Sequence, residues 1–225
     1  MFPILNTTQR SISQDIKKLD VVSNNLANTS TAAFKKHLLN YMQENGETIA
    51  SSRISFQQGS TTQDNDPLHF AIHGEGFFPV QNANGVQLRR AGDFALSETA
   101  ELITSTGDKV LSSGSPIVLA KTPVVLGDGT IQIDGNTIGK LDVVVPTNYG
   151  SVVEAEGGNY SFDGAVKQSE DYHVAQGFLE NANTSAVNEM SSLIELTRNT
   201  DIVSKIFKTG SEVLKLASSE LGKIV

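Results

Sequence analysis

Apolar residues recur every seven positions through the first stretch of the chain, at Leu5, Ile12, Leu19 and Leu26, with Ile16 and Val22 at the alternate positions. That spacing predicts an amphipathic helix with one narrow apolar seam. The residues between, among them Arg10, Gln14, Asp15, Lys17, Lys18 and Asp20, are polar, so the seam asks for a facing helix and not for a core that surrounds it. A second seam lies at the far end, with Leu193, Thr200, Phe207, Leu214 and Leu221 in one row and Leu196, Val203, Gly210, Ala217 and Ile224 in the other. At about 1.5 Å per residue, helices over 5–26 and 186–224 would run roughly 33 Å and roughly 58 Å. The longer seam therefore needs further cover, and other copies of the chain are the expected source.

After the first seam, Asn24, Asn25 and Asn28 flank Leu26, and Ser and Thr follow at once. These residues compete for backbone hydrogen bonds and favour a helix end, while their amides can also bond across a helix interface and fix its register. Phe34, Leu38, Leu39 and Met42 fit a short amphipathic helix that Asn45-Gly46 ends, and the Ser/Thr/Gln-rich passage beyond reads as a linker with an extended piece around Ile54 and Phe56. At Pro67 the period changes to two. Leu68, Phe70 and Ile72 alternate with His69, Ala71 and His73, and short β-type runs separated by Gly, Asn and Asp turns continue from there. The expected fold class is α+β, with paired N- and C-terminal helices forming a discontinuous coiled-coil-like layer and an all-β domain inserted between them. The expected boundaries are 1–45 for the N-terminal helical segment, 46–66 for the linker, 67–176 for the β-rich domain and 177–225 for the C-terminal helix.

Composition narrows the function. An apolar content of 38% supports a real core, and a net charge of −8 without any long basic run argues against nucleic acid as a partner. With no cysteine, disulfides and thiolate metal sites are ruled out. The apolar runs are too short to span a bilayer, and the first residues lack the pattern of a secretory leader. No membrane insertion is expected.

Candidate chemistry is sparse. Asp64, Asp66, His69 and His73 offer four metal ligands in ten residues, but the alternation makes the stretch a strand, along which four residues span about 13 Å. Ligand atoms that share one zinc lie only about 3–4 Å apart. Gly74-Glu75-Gly76 lacks the third glycine of a nucleotide fingerprint and reads as a turn. Phe77-Phe78 should place at least one ring in the core, and Arg89-Arg90 with Asp93 should form a local ion pair. No catalytic, cofactor or metal site is expected. A carbohydrate-binding β protein with helical oligomerisation ends is a remote alternative, disfavoured by zero Trp and four Tyr.

Three stretches carry a resemblance. Val22-Ser-Asn-Asn-Leu-Ala-Asn-Thr-Ser-Thr-Ala-Ala-Phe-Lys35, then Ala71-Ile-His-Gly-Glu-Gly-Phe-Phe78 with Arg90-Ala-Gly-Asp-Phe94, and then Gln176-Gly-Phe-Leu-Glu180 with Val187-Asn-Glu-Met190, resemble in order the motifs of the bacterial flagellar rod and hook proteins. Ala33 stands where that family usually has Gly, His69 where an Asp is common, and Asn199-Thr-Asp201 replaces an aromatic-acidic pair. The resemblance implies an axial subunit of the basal body, exported by the flagellar type III apparatus without a cleaved leader. Its implied partners are other copies of itself and neighbouring rod and hook proteins. The short segment between Phe34 and Phe70 and the small inserted domain point to a proximal rod protein, with a distal rod or hook-type subunit as the alternative. The assembly interface is then expected at Leu5, Ile12, Ile16, Leu19, Val22, Asn24, Asn25, Leu26, Asn28, Leu193, Leu196, Val203, Phe207, Leu214 and Leu221.

Overall fold

The computed structural model describes residues 2–44 and 47–221, with side-chain surroundings given for all of these except 2–9, 44, 47–49, 214 and 217–221. Ile224 of the second seam lies outside the described residues. Two units divide the chain, one of residues 1–28, 37–55 and 184–225 and the other of residues 29–36 and 56–183.

The first unit holds α1 (Phe2–Ala27), the strands β1 (His37–Glu44) and β2 (Glu47–Ile54), and α2 (Ala186–Leu221). β1 and β2 form an antiparallel hairpin with His37 opposite Ile54 and Glu44 opposite Glu47. The short helix expected from Phe34 to Met42 is therefore a strand. Leu38, Leu39 and Met42 fit either period over so short a run. Asn45-Gly46, read as a helix stop, is also the residue pair that favours a two-residue hairpin connection.

The expected fold class is corrected by the same observation. Among the described residues the chain has 19 strands and two α-helices, one near each end, so the fold is mainly β. A coiled-coil-like layer is not what the helices make. They touch, but α1 also lies against the hairpin. Its seam residue Ile16 is 49% exposed, and Ile12, Leu19, Val22 and Leu26 are only half-buried.

The second unit comprises β3 (Thr61–Gln63), β4 (Phe70–Gly74), β5 (Phe78–Asn82), β6 (Gly85–Arg89), β7 (Ala95–Leu96), β8 (Leu102–Ile103), β9 (Lys109–Ser112), β10 (Ser115–Pro116), β11 (Val124–Val125), β12 (Thr130–Ile133), β13 (Asn136–Lys140), β14 (Val144–Pro146), β15 (Val153–Glu154), β16 (Asn159–Ser161), β17 (Val166–Gln168), β18 (Tyr172–Gln176) and β19 (Phe178–Glu180). The largest sheet has the order β15-β16-β6-β5-β9-β8-β7, with β10 on β9, and a second sheet runs β11-β12-β13. β14 pairs with β17, β4 with β18 and β3 with β19. All of these pairings are antiparallel. The pattern of apolar residues gave no sign of β13 or of β15 to β17. β13, β15 and β17 are mostly exposed, and β16 buries one polar and one aromatic side chain, Asn159 and Tyr160, so these strands carry little apolar alternation to read.

Phe70, Ile72, Phe78, Val80, Leu102 and Leu141 anchor the core of this unit. Both phenylalanines of the 77–78 pair are buried. Phe78 stands edge-on to Phe94, with ring centres 5.2 Å apart, while Phe77 meets Phe56 and Tyr160 in the same manner at 5.6 and 5.7 Å.

Gly92 marks the closest backbone approach. Its carbonyl accepts the Phe70 N–H at 3.0 Å, and a Cβ there would stand 1.9 Å from the Phe70 carbonyl oxygen. Because backbone and not a flexible side chain blocks the space, Gly92→Ala should destabilise the chain by about 3 kcal/mol or more. Gly139→Ala, whose Cβ would meet only Ser112 Oγ at 3.8 Å, should change stability by less than about 1 kcal/mol. Urea denaturation of the two variants measures the contrast.

Candidate functional site

The expected interface residues fall into three groups. Leu5, Leu214 and Leu221 lie on helical backbone, but their side chains lie outside those described. Ile12, Leu19, Val22, Leu26, Leu193, Leu196 and Val203 are half-buried within the first unit, while Phe207 and Ile16 are 40% and 49% exposed. The asparagines divide. Asn24 and Asn28 mark the end of α1, where the Asn28 side chain donates to the Asn24 carbonyl at 2.9 Å. Asn25 is 1% exposed and grips one residue of β1, accepting from the His37 N–H at 2.8 Å and donating to the His37 carbonyl at 2.9 Å. Its amide fixes the hairpin against α1, and does not bond across a helix pair.

α2 also carries a second apolar row that heptad reading passed over. Val187, Met190, Ile194, Ile202, Ile206 and Val213 are all more than half exposed, between 52% and 72%. At 3.6 residues per turn Val187 and Ile194 fall opposite Leu196, Val203 and Phe207, Met190 and Ile202 lie about 120° to either side of that seam, and Ile206 and Val213 lie about 80–100° round from it. The signal was present as i, i+3, i+4 spacing among polar residues, but a search for heptads favours one seam and hides the other. A helix apolar on two sides belongs to a structure larger than one pair of helices.

In the second unit the three motif stretches meet. Lys35 Nζ donates to Glu180 Oε1 at 2.6 Å and to the Gln57 carbonyl at 2.8 Å. Arg90 Nε donates to Glu180 Oε2 at 2.7 Å. The rest of the Arg90 guanidinium reaches the carbonyls of Gly76, Ile72 and Gly74 at 2.6, 2.8 and 3.0 Å. The Gly59 N–H donates to Glu180 Oε1 at 2.8 Å. All three charged side chains are at most 5% exposed. Arg90 was expected to act locally, yet only Arg89 does so, pairing with Asp93 at 2.8 Å. Lys35 and Glu180 had no assigned role, because a pair separated by 145 positions leaves no periodic trace.

Burial dominates the electrostatics here. It pushes the Lys35 ammonium below its ordinary range, with Glu180 acting in the opposite sense and Arg90 adding to the lowering. Burial likewise raises the Tyr160 hydroxyl far above its usual value, and that of Tyr149 to a lesser extent, helped in both by nearby carboxylates. A cavity of about 440 Å³ is lined by Lys35 and Arg90, by the rings of Phe56, Phe77 and Tyr149, and by the Gly74–Gly76 turn.

The backbone entering the cluster is strained. Ala33 has φ +52° and is buried, with its N–H on the Glu180 carbonyl at 2.8 Å. Glycine takes that conformation without steric cost.

An interior β-rich unit, with long terminal helices that keep apolar rows exposed, defines a class of structural protein with apolar surface available to partners. Comparison with known proteins agrees in detail. Residues 71–162 match the model described as the flagellar hook protein FlgE/F/G D1 domain, and residues 175–220 match that of the flagellar basal body rod FlgEFG protein C-terminal. The chain is 30% identical over 224 residues to the flagellar basal-body rod protein FlgF of Rhizobium meliloti, with 92% of each chain covered. It is 29% identical to FlgF of Caulobacter vibrioides, covering 92% of this chain and 93% of the relative. It is 28% identical to the flagellar basal-body rod protein FlgG of Bacillus subtilis, covering 88% and 91%. The chain belongs to the flagellar basal-body rod protein family, a family of structural proteins and not of enzymes.

Two predictions follow from the buried cluster. Glu180→Gln leaves Lys35 and Arg90 facing a neutral amide and should cost about 3–5 kcal/mol. Lys121→Ala, which breaks a pair whose side chains are 66% and 65% exposed, should cost less than about 1 kcal/mol. Urea titrations compare them directly. Ala33→Gly relieves a left-handed alanine worth roughly 1–2 kcal/mol against an unfolded-state entropy cost of about 0.4–1 kcal/mol. The expected net gain is about 0.5–1 kcal/mol, seen as a higher urea midpoint.

Proposed function

We propose that this chain is a proximal rod subunit of the flagellar basal body, which joins neighbouring axial proteins and other copies of itself through the apolar surfaces of α1 and α2. The second apolar row of α2 carries the proposal. Side chains such as Ile202 and Ile206, 55% and 59% exposed, would each gain about 1.5–3 kcal/mol from full burial, and nothing in the described chain covers them. The expected interface therefore widens from Leu5, Ile12, Ile16, Leu19, Val22, Asn24, Leu26, Asn28, Leu193, Leu196, Val203, Phe207, Leu214 and Leu221 to include Val187, Met190, Ile194, Ile202, Ile206 and Val213. Asn25 supports that surface indirectly by holding the hairpin.

Length sets the chain nearer the FlgF relatives than two of the FlgG ones. The segment from Phe34 to Phe70 is short, and the alignments to the two FlgF relatives span 224 and 229 positions. Alignments to FlgG of Caulobacter vibrioides and of Buchnera aphidicola span 256 and 258 positions and need longer gaps. Delivery through the flagellar type III export apparatus fits the same picture. Terminal helices that gain much of their stability from neighbours cost less to unfold before assembly than after it.

Ile202→Asp with Ile206→Asp should leave the isolated chain as stable as the parent within about 0.5 kcal/mol while abolishing rod assembly and swimming. Normal motility in that strain would refute the interface. Electron microscopy of hook–basal bodies carrying a tagged chain tests the position. Label at the base of the rod is expected, and label farther out would reassign the chain to the distal rod or hook.

A further inference from the structure

His73 of β4 and His173 of β18 stand directly opposite one another in the antiparallel register. Their ring centres are 6.3 Å apart, and the planes are inclined by 36°. Both residues are exposed. Among the described residues neither imidazole has a hydrogen-bond partner, so all four ring nitrogens are uncommitted. The His173 ring lies on Gly127, where a Cβ would come within 2.2 Å of Cε1 and 2.4 Å of Nδ1. The Gly127 carbonyl in turn accepts the Val174 N–H at 2.8 Å, which holds that floor in place beneath the ring.

The spacing suits one shared ion. A metal–nitrogen bond of about 2.0–2.1 Å, plus about 1.1 Å from nitrogen to ring centre, puts the metal roughly 3.2 Å from each centre. Two imidazoles on one ion then have centres roughly 5–6.4 Å apart, from tetrahedral to linear arrangement. The observed 6.3 Å lies inside this range, and a rotation about χ2 aligns the nitrogens without moving backbone. His69 stands four positions from His73 along extended backbone, about 13 Å away, too far to share one ion with the pair. The 69–73 spacing along the sequence had argued against metal binding. The pairing of two different strands brings together histidines 100 positions apart that no spacing rule could join.

We propose that His73 and His173 form a two-imidazole clamp for a divalent transition metal of the nickel, copper or zinc kind, with water in the remaining coordination positions. Imidazole suits these ions, whereas magnesium and calcium prefer oxygen donors. The bound ion staples β4 to β18 and stabilises the folded unit by mass action, because the unfolded chain holds the rings apart. This site is independent of the role in the rod.

The test uses the full chain without a histidine tag and Ni²⁺ as the probe. Calorimetric titration should show one saturable Ni²⁺ per chain, and NMR should show paramagnetic broadening centred on the His73 and His173 rings and sparing those of His37 and His69. His73→Ala and His173→Ala should each weaken binding at least tenfold and remove the rise in melting temperature that Ni²⁺ gives the parent. His69→Ala should change affinity less than twofold. Circular dichroism checks that each variant is folded, and His173→Gln provides a bulk-conserving replacement. Parental binding that survives in either single variant, binding centred on His69 and Asp64, or no binding by the parent at millimolar Ni²⁺ would each overturn the proposal.

Discussion

The buried carboxylate of Glu180 is the constraint on which the second unit depends. A carboxylate 1% exposed is tolerable only if its charge and its lone pairs are answered. Lys35, Arg90 and the Gly59 N–H answer them from three separate parts of the chain. Residues 29–36 thereby belong to the same unit as 56–183, although the 19 residues between them fold elsewhere. An apolar contact among the same segments would hold them as tightly but would tolerate sliding. The fork of Arg90, spent on Glu180 and three carbonyls, does not.

The motifs that carried the family resemblance turn out to have identifiable physical duties within this unit. Gly92 is required by a backbone approach, Asp93 by Arg89, and Phe94 by the core. Gln176 bridges with its amide to the Pro67 and Pro123 carbonyls and accepts from the Val125 N–H. Where this chain departs from the family, the physics shows the consequence. Ala33 keeps the left-handed backbone that a glycine would take freely, so the conformation is imposed by the surrounding hydrogen bonds and not by the residue itself.

Much of this was legible in the order of residues, and the omissions have causes. The two terminal helices followed from periodicity over many turns, the most redundant signal a sequence carries. The hairpin at 37–54 was misread because Leu38 and Met42, four apart, share one face in a helix and in a strand alike, while the helical layer of the expected fold class came from reading the two terminal seams as coiled-coil partners. The ion cluster was hidden for a different reason. Arg90 sits beside Arg89 and near Asp93, so local chemistry offered it a partner, and only the tertiary path of the chain shows that Glu180 takes it instead. The histidine pair is the same lesson, since adjacency across strands is created by register and not by spacing.

The two units hold their structure in contrasting ways. The second unit commits its strongest interactions internally, in a core rich in aromatic rings and a satisfied ion cluster. In the first, α1 and α2 leave half-buried seams and an exposed apolar row, while the buried amide of Asn25, on His37, secures a hairpin and not the helix pair. On the proposed reading, these rows are buried against neighbouring subunits, so the assembly step is written into where the burial of the isolated chain stops.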